Sequence, residues 1–176
     1  GLDLALDAFA QHAPFFASRL RNLALGNWHV LFTKPRASSV LDVGCGFGAL
    51  VAGLATSYSR AVGLEMLPER LRVAGLRERI SLVRGSGHAL PLAAGSQDLV
   101  TMNGVLEWAA YYADGDPAAL QRNFLREAHR VLAPDGTLAV AIENRYALET
   151  FLGLPDTHTR LHLVPALPRI MAHAWC

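Results

Sequence analysis

The residues best placed to do chemistry lie in one short stretch. Gly44-Cys45-Gly46-Phe47-Gly48 follows the apolar run Val40-Leu41-Asp42-Val43 and precedes an apolar stretch from Ala49. Glycines at a strand-to-helix turn permit positive φ and let a ligand come close to the backbone. On its own the pattern also describes a tight turn. Glu65 adds to it, because it ends the next apolar run, 21 positions after Gly44. A carboxylate there can accept both hydroxyls of a ribose, as in dinucleotide folds, although an exposed strand-end charge would look the same. Asp42 decides which nucleoside. A dinucleotide site carries Gly-x-Gly-x-x-Gly and seats a pyrophosphate on the helix N-terminus. Here the spacing is Gly-x-Gly-x-Gly, and Asp42 lies just before it. A buried carboxylate would repel a pyrophosphate and attract an ammonium or a sulfonium, so the charge favours S-adenosyl-L-methionine over NAD.

The elements that must position these groups alternate. Apolar spacing predicts helices over 2–10 and 15–32, a helical N-terminal cover spanning 1–36. Strands are then predicted at 40–43, 61–64, 80–83, 98–102 and 137–142. Helices are predicted at 49–58, 68–74 and 117–132. Pro68 suits a first helical turn, Gly75 suits a helix stop, and Pro134-Asp135-Gly136 ends the long helix. Strands separated by helices imply parallel pairing through right-handed crossovers. The expected core is 37–143, an α/β fold, followed by a segment 144–176 with helices over 146–152 and 161–174.

At 176 residues the chain is one domain with a single sizeable core. With 52% hydrophobic and 18% charged residues it does not read as disordered. A net charge of +1 gives no strong field toward nucleic acid or an anionic membrane. Cys45 and Cys176 make neither a disulfide framework nor a metal spacing, so no metal is expected and a reducing, cytoplasmic setting is. His158, His162 and His173 also lack ligand spacing. No run of about 18 apolar residues predicts a membrane span, and no signal peptide is read at the N-terminus. The oligomeric state has no sequence signal.

Val40-Leu41-Asp42-Val43-Gly44-Cys45-Gly46-Phe47-Gly48 resembles the first motif of class I S-adenosylmethionine-dependent methyltransferases, in their type 11-like branch. Val62-Gly63-Leu64-Glu65-Met66 resembles the second, whose acidic residue holds the ribose. Ala89-Leu90-Pro91-Leu92 with Gln97-Asp98-Leu99-Val100, and the run from Phe124 to Leu138, are similar to the approaches to strands four and five. The matches keep their order over 39–142. The resemblance implies a Rossmann-like three-layer sandwich with a mainly parallel sheet of at least five strands, in the order 3-2-1-4-5. It implies cofactor contacts at Asp42, Gly44, Cys45, Gly46, Gly48, Glu65, Met66 and Asn103. Many members carry an acidic residue near the adenine. Here Ser86 stands in its place, followed by Gly87 and His88, and these three are expected at the adenine. The family's last two strands are expected to be missing from this chain.

Methyl transfer demands no obligatory catalytic side chain, so the catalytic role stays open. Glu107, Glu143 and Asn144 are the candidates, as a base or as acceptor contacts, with Arg145 as an anion contact. A helix-start carboxylate explains Glu107 equally well, and a solvated turn explains the others. Trp108 reads as a core aromatic. The stretch 142–157 resembles bacterial methyltransferases of surface-glycan assembly. The expected acceptor is a small molecule, a lipid-linked group or a glycan. The competing readings are a cofactor-binding scaffold without turnover and a nicotinamide-dependent oxidoreductase. A nucleic-acid acceptor is disfavoured by the charge and by Asn103-Gly104-Val105-Leu106 standing where amino-methylating enzymes carry Asn/Asp-Pro-Pro-aromatic.

Overall fold

The computed structural model describes residues 1–11, 14–31, 38–142, 148–155 and His162. The chain divides into two compact units, Gly1–Ala141 and Ile142–Cys176. In the first, α1 (Leu2–Ala10) and α2 (Pro14–Arg21) lead into a 3-10 segment, Leu23–Leu31. Then follow β1 (Ser39–Val43), α3 (Ala49–Leu54), β2 (Arg60–Glu65), α4 (Pro68–Ala74), β3 (Ser81–Arg84) and β4 (Gln97–Asn103). A 3-10 turn at Leu106–Trp108, α5 (Pro117–Val131) and β5 (Leu132–Ala141) complete the unit. In the second unit, α6 (Leu148–Phe151) and a bridge between Pro155 and His162 are described. The helix expected over 161–174 and the start of that over 146–152 lie outside the described residues.

The strands form one parallel sheet in the order β3-β2-β1-β4-β5, the expected order. Strand side chains alternate between faces, and the apolar residues divide accordingly. Leu41, Val43, Leu64, Val100 and Met102 face Phe124, Ala128 and Val131 of α5. Val40, Ala61 and Leu99 face Leu50, Val51 and Leu54 of α3. Burial on both faces is why the strands read as continuous apolar runs. No helix among the described residues is long and apolar enough to cross a membrane.

Four elements differ from the expectation, and one of them is α3, which ends at Leu54 where the helix was expected to run to 58. The helix expected over 15–32 breaks after Arg21, where the Asn22 side chain accepts from the Ala24 N–H at 2.9 Å and competes with helical bonding. Helix α4 ends at Ala74 as expected, but Gly75 has φ −65°, so its cap is right-handed and does not need glycine. Strand β5 begins directly at Leu132. Gln97 faces Leu132 while Leu99 faces Thr137, so the stretch 133–136 bulges out of register. Pro134 cannot donate to the ladder, which confines it to such a place.

Candidate functional site

Strand β1 delivers the glycine turn to the carboxyl end of the sheet. Gly44, Gly46 and Gly48 have φ of 72°, 56° and 77°. The N–H groups of Gly44 and Cys45 both donate to the Leu64 carbonyl, at 2.8 and 3.0 Å, binding the turn to the end of β2. A Cβ on Gly44 would lie 2.4 Å from Cγ2 of Val105, so the turn also touches the loop after β4. Arg77 donates to the carbonyls of Phe47 and Leu20, at 2.7 and 2.6 Å, and ties the turn to α2. Burial lowers its pKa.

Glu65 closes the other side of the turn. It is 5% exposed. Its Oε2 accepts from the Gly46 N–H at 3.0 Å, and its Oε1 from the N–H groups of Met66 and Leu67 at 2.8 and 3.0 Å. The Arg70 guanidinium lies 3.9 Å away. A carboxylate offers about four lone-pair sites. Three are taken by backbone donors, so accepting both hydroxyls of a ribose would require one of those donors to turn away.

A cavity of about 190 Å³ opens beyond the carboxyl ends of β1, β2, β3 and β4. Of the residues expected at the cofactor, Gly44, Glu65, Met66, Ser86, Gly87 and His88 line it. Asp42, Cys45, Gly46, Gly48 and Asn103 are not on its wall. Asp42, expected at the cofactor, lies off that wall. Along β1 it shares a face with Val40, pointing toward α3, and Thr101 is its register partner on β4. The Thr101 hydroxyl donates to Oδ1 at 2.7 Å. Asp42 is 2% exposed, and its pKa is pushed up to about 7 by burial, with the Thr101 bond lowering it and the Glu65 charge raising it further. Burial therefore favours the neutral form of this carboxyl. The Cys45 thiol, also buried, is pushed up by desolvation and then by the charges of Asp42 and Glu65.

The 86–88 loop is held from behind. The His88 Nε2 lies 2.8 Å from the Ala109 carbonyl, a contact that needs the proton on Nε2, and its ring meets Phe124 edge-on at 4.5 Å. Asn123 of α5 donates to the His88 carbonyl at 2.8 Å. Glu127 accepts from the Leu90 N–H at 2.8 Å. Arg130 donates to the carbonyls of Leu90 and Leu92 at 2.7 and 2.9 Å, and pairs with Glu127. The Arg130 hydrogen bond is the main reason the Glu127 pKa is lowered.

The cavity wall also holds residues that sequence reasoning passed over. Leu67, Arg70, Val105, Tyr112 and Phe124 line the cavity. Trp108, expected in the core, is 39% exposed and lines it too. Trp108 meets Tyr111 edge-on at 5.4 Å, and Tyr111 meets Tyr112 at 4.8 Å. Glu107 stands in the 3-10 turn rather than in a helix start. Its Oε2 is buried and has no hydrogen-bond partner among the described residues. Glu143, Asn144 and Arg145 lie outside the described residues, so their expected roles have no geometry here. Among the described residues no group of three or more His, Cys, Asp or Glu could hold a metal.

Comparisons with known proteins agree with this arrangement. The methyltransferase domain family matches residues 41–140. An uncharacterized methyltransferase of Synechocystis is 32% identical over 162 residues, 84% of this chain and 73% of its own length. A malonyl-[acyl-carrier protein] O-methyltransferase of Legionella pneumophila is 31% identical over 81% of this chain and 45% of its own. Other curated relatives are likewise spanned over only 35–50% of their length. An amino pentose methyltransferase of Micromonospora echinaspora, solved with S-adenosylmethionine bound, superposes with a TM-score of 0.55 at 26% identity over 69% of this chain and 48% of its own. The sheet order, the glycine turn beside Glu65 and the match over 41–140 place the chain in the S-adenosylmethionine-dependent methyltransferase family, class I.

Proposed function

We propose that the chain moves a methyl group from S-adenosylmethionine to a small-molecule, lipid-linked or glycan acceptor, with the adenosyl part of the cofactor in the cavity. The observation that carries the site is Glu65, a buried carboxylate held by backbone N–H groups at the cavity edge and next to the glycine turn. It is the ribose acceptor in this reading. Ser86, Gly87 and His88 border the adenine, and Phe124 and Leu64 supply apolar walls. A cavity of about 190 Å³ is smaller than the roughly 300–1,000 Å³ of drug-sized pockets. It fits the nucleoside, and the amino-acid tail passes over the open backbone at Gly46, where nothing lies within 4 Å of a built Cβ. Asp42, one layer deeper, offers its charge to that tail.

When bound, S-adenosylmethionine supplies a sulfonium methyl that is already electrophilic. The protein's own work is to place the acceptor, which can be worth roughly 7–11 kcal/mol of barrier. The malonyl-[acyl-carrier protein] relative named above acts on a small, carrier-borne group, which supports an acceptor of that scale. Isothermal titration with S-adenosylmethionine, with NAD as control, tests the reading. Glu65→Gln keeps the shape and removes the charge, and its affinity should drop at least tenfold, about 1.4 kcal/mol. Unchanged affinity in that variant, or tighter binding of NAD, would remove Glu65 and the proposal with it.

A further inference from the structure

Two charged side chains bond to the glycine turn. Glu65 lines the cavity and accepts from the Gly46 N–H. Arg77 does not line the cavity and donates to the Phe47 carbonyl. It stands just past the end of α4, where its own N–H donates to the Ala74 carbonyl at 3.0 Å. Its stem runs close over Gly48, since a Cβ built there would lie 3.1 Å from the Arg77 Cδ. From that position Nε reaches the Phe47 carbonyl at 2.7 Å and Nη2 the Leu20 carbonyl at 2.6 Å. Leu20 lies in the last turn of α2, where helix carbonyls have no partner within the helix. A guanidinium is a rigid planar fork, so one plane joins the glycine turn to α2.

The bond at Phe47 bears on one peptide plane. In a trans peptide the C=O and the following N–H point in opposite directions. Holding the Phe47 carbonyl therefore also aims the Gly48 N–H, which donates to the Cys45 carbonyl at 2.8 Å and closes the turn. The turn's own residues resist little if this plane turns over. Such a flip changes ψ of Phe47 and φ of Gly48 together, and Gly48 stands at φ 77°. Glycine takes either sign of φ about equally readily. Gly48 is also the N-cap of α3 and makes no side-chain cap bond. The plane needs a hold from outside the turn, and Arg77 provides one with an ionised donor, the stronger kind of hydrogen bond.

We propose that Arg77 is a positioning residue for the methyl donor. It fixes the Phe47–Gly48 peptide beside the Gly46 backbone over which the cofactor's amino-acid tail passes, with its second donor anchored on α2. This rests on the cofactor placement proposed above. Arg77 touches neither cofactor nor acceptor and acts through the turn. The effect runs both ways by linkage: a contact that strengthens cofactor binding is strengthened by the bound cofactor, by the same factor.

Titration with S-adenosylhomocysteine and hydrogen exchange followed by NMR test this. If the unaltered chain does not bind S-adenosylhomocysteine, the methyl-donor reading fails and the inference falls with it. Arg77→Met keeps the stem and removes the donors, and its affinity for S-adenosylhomocysteine should fall about tenfold or more. In that variant without ligand, exchange of the Gly48 N–H should accelerate by a larger factor than that of Leu41 and Val100, which are buried in the sheet. A general loss of stability would speed all three alike. A third measurement needs no variant. Saturating the unaltered chain with S-adenosylhomocysteine should slow exchange of the Arg77 Nε–H about tenfold or more. Equal acceleration of the three amides, an affinity in Arg77→Met within about twofold of the unaltered chain, or an Arg77 Nε–H rate indifferent to the ligand overturns the inference while leaving cofactor binding intact.

Discussion

The two sides of the cavity are made of different material. On the β1–β2 side the wall is fixed by backbone, with Gly44 of the glycine turn lining it and three N–H groups turned onto the Glu65 carboxylate. On the β4 side it is side chain, with Trp108 and Tyr112 partly exposed and each edge-on to the Tyr111 ring. A backbone surface can change little from one sequence to another, because a substitution at a positive-φ glycine strains the turn. A surface of exposed rings can change residue by residue without disturbing the sheet. The first suits a cofactor that never varies, and the second suits an acceptor that differs between relatives.

The largest expected effect lies beneath the backbone side, at Asp42. Burial pushes its carboxyl up to about 7 in the folded chain, well above the ordinary Asp value of about 3.9. The folded chain therefore holds a proton that the unfolded chain releases between those values. The stability tied to that proton is complete below about pH 4, is lost as pH rises toward 7 and stays lost above it. Asp42→Asn removes the ionisation. The variant's urea stability relative to the unaltered chain should rise with pH and level off above about 7, at a gain on the order of 4 kcal/mol. A constant difference from pH 4 to pH 8 would show that Asp42 does not titrate there. A bound cation favours ionised Asp42, so S-adenosylmethionine affinity should also increase from pH 6 to pH 8 in the unaltered chain and not in the variant.

Next comes the turn itself. Gly44→Ala places a Cβ 2.4 Å from Cγ2 of Val105, in a residue at φ 72°. Backbone strain of about 1–3 kcal/mol and overpacking of similar size act together there. Gly46→Ala has the strain alone, since nothing lies within 4 Å of the built Cβ. Denaturant unfolding should therefore rank Gly44→Ala well below Gly46→Ala, by about 1–3 kcal/mol. Equal losses would mean that the turn does not rest on the loop after β4, and that the two sides are independent.

The same division explains what could be read from the sequence alone. The alternation of apolar runs and helical stretches, the glycine turn and the position of Glu65 are local patterns, and local patterns survive in a sequence. The inward direction of Asp42 was half legible. Alternation along 40–43 sets it on the Val40 side, but only pairing with Thr101 shows that the carboxyl is bonded there. The rail formed by Asn123, Glu127 and Arg130 has helical spacing, so its common face could have been noticed. Its partners are backbone atoms of His88, Leu90 and Leu92, which leave no mark in residue identity. Trp108, Tyr112 and Phe124 were illegible for another reason. An aromatic residue suits a core or a pocket wall equally well, and only the packing of α5 against the loop after β4 decides which it is.

The smallest effect tests whether the aromatic side is as loose as its exposure implies. Tyr111 is 69% exposed, does not line the cavity, and touches both Trp108 and Tyr112 edge-on. Removing its ring forfeits two edge-to-face contacts, each worth about 0.5–1.5 kcal/mol at most. Much of that is already spent on water at so exposed a site. Tyr111→Ala should therefore cost less than about 1 kcal/mol in thermal or urea unfolding, and S-adenosylmethionine affinity should stay within about twofold. A loss above about 2 kcal/mol, or a tenfold drop in cofactor affinity, would show that the aromatic wall is as tightly coupled to the sheet as the glycine turn. The division of the cavity into a fixed half and an adjustable half would then fail.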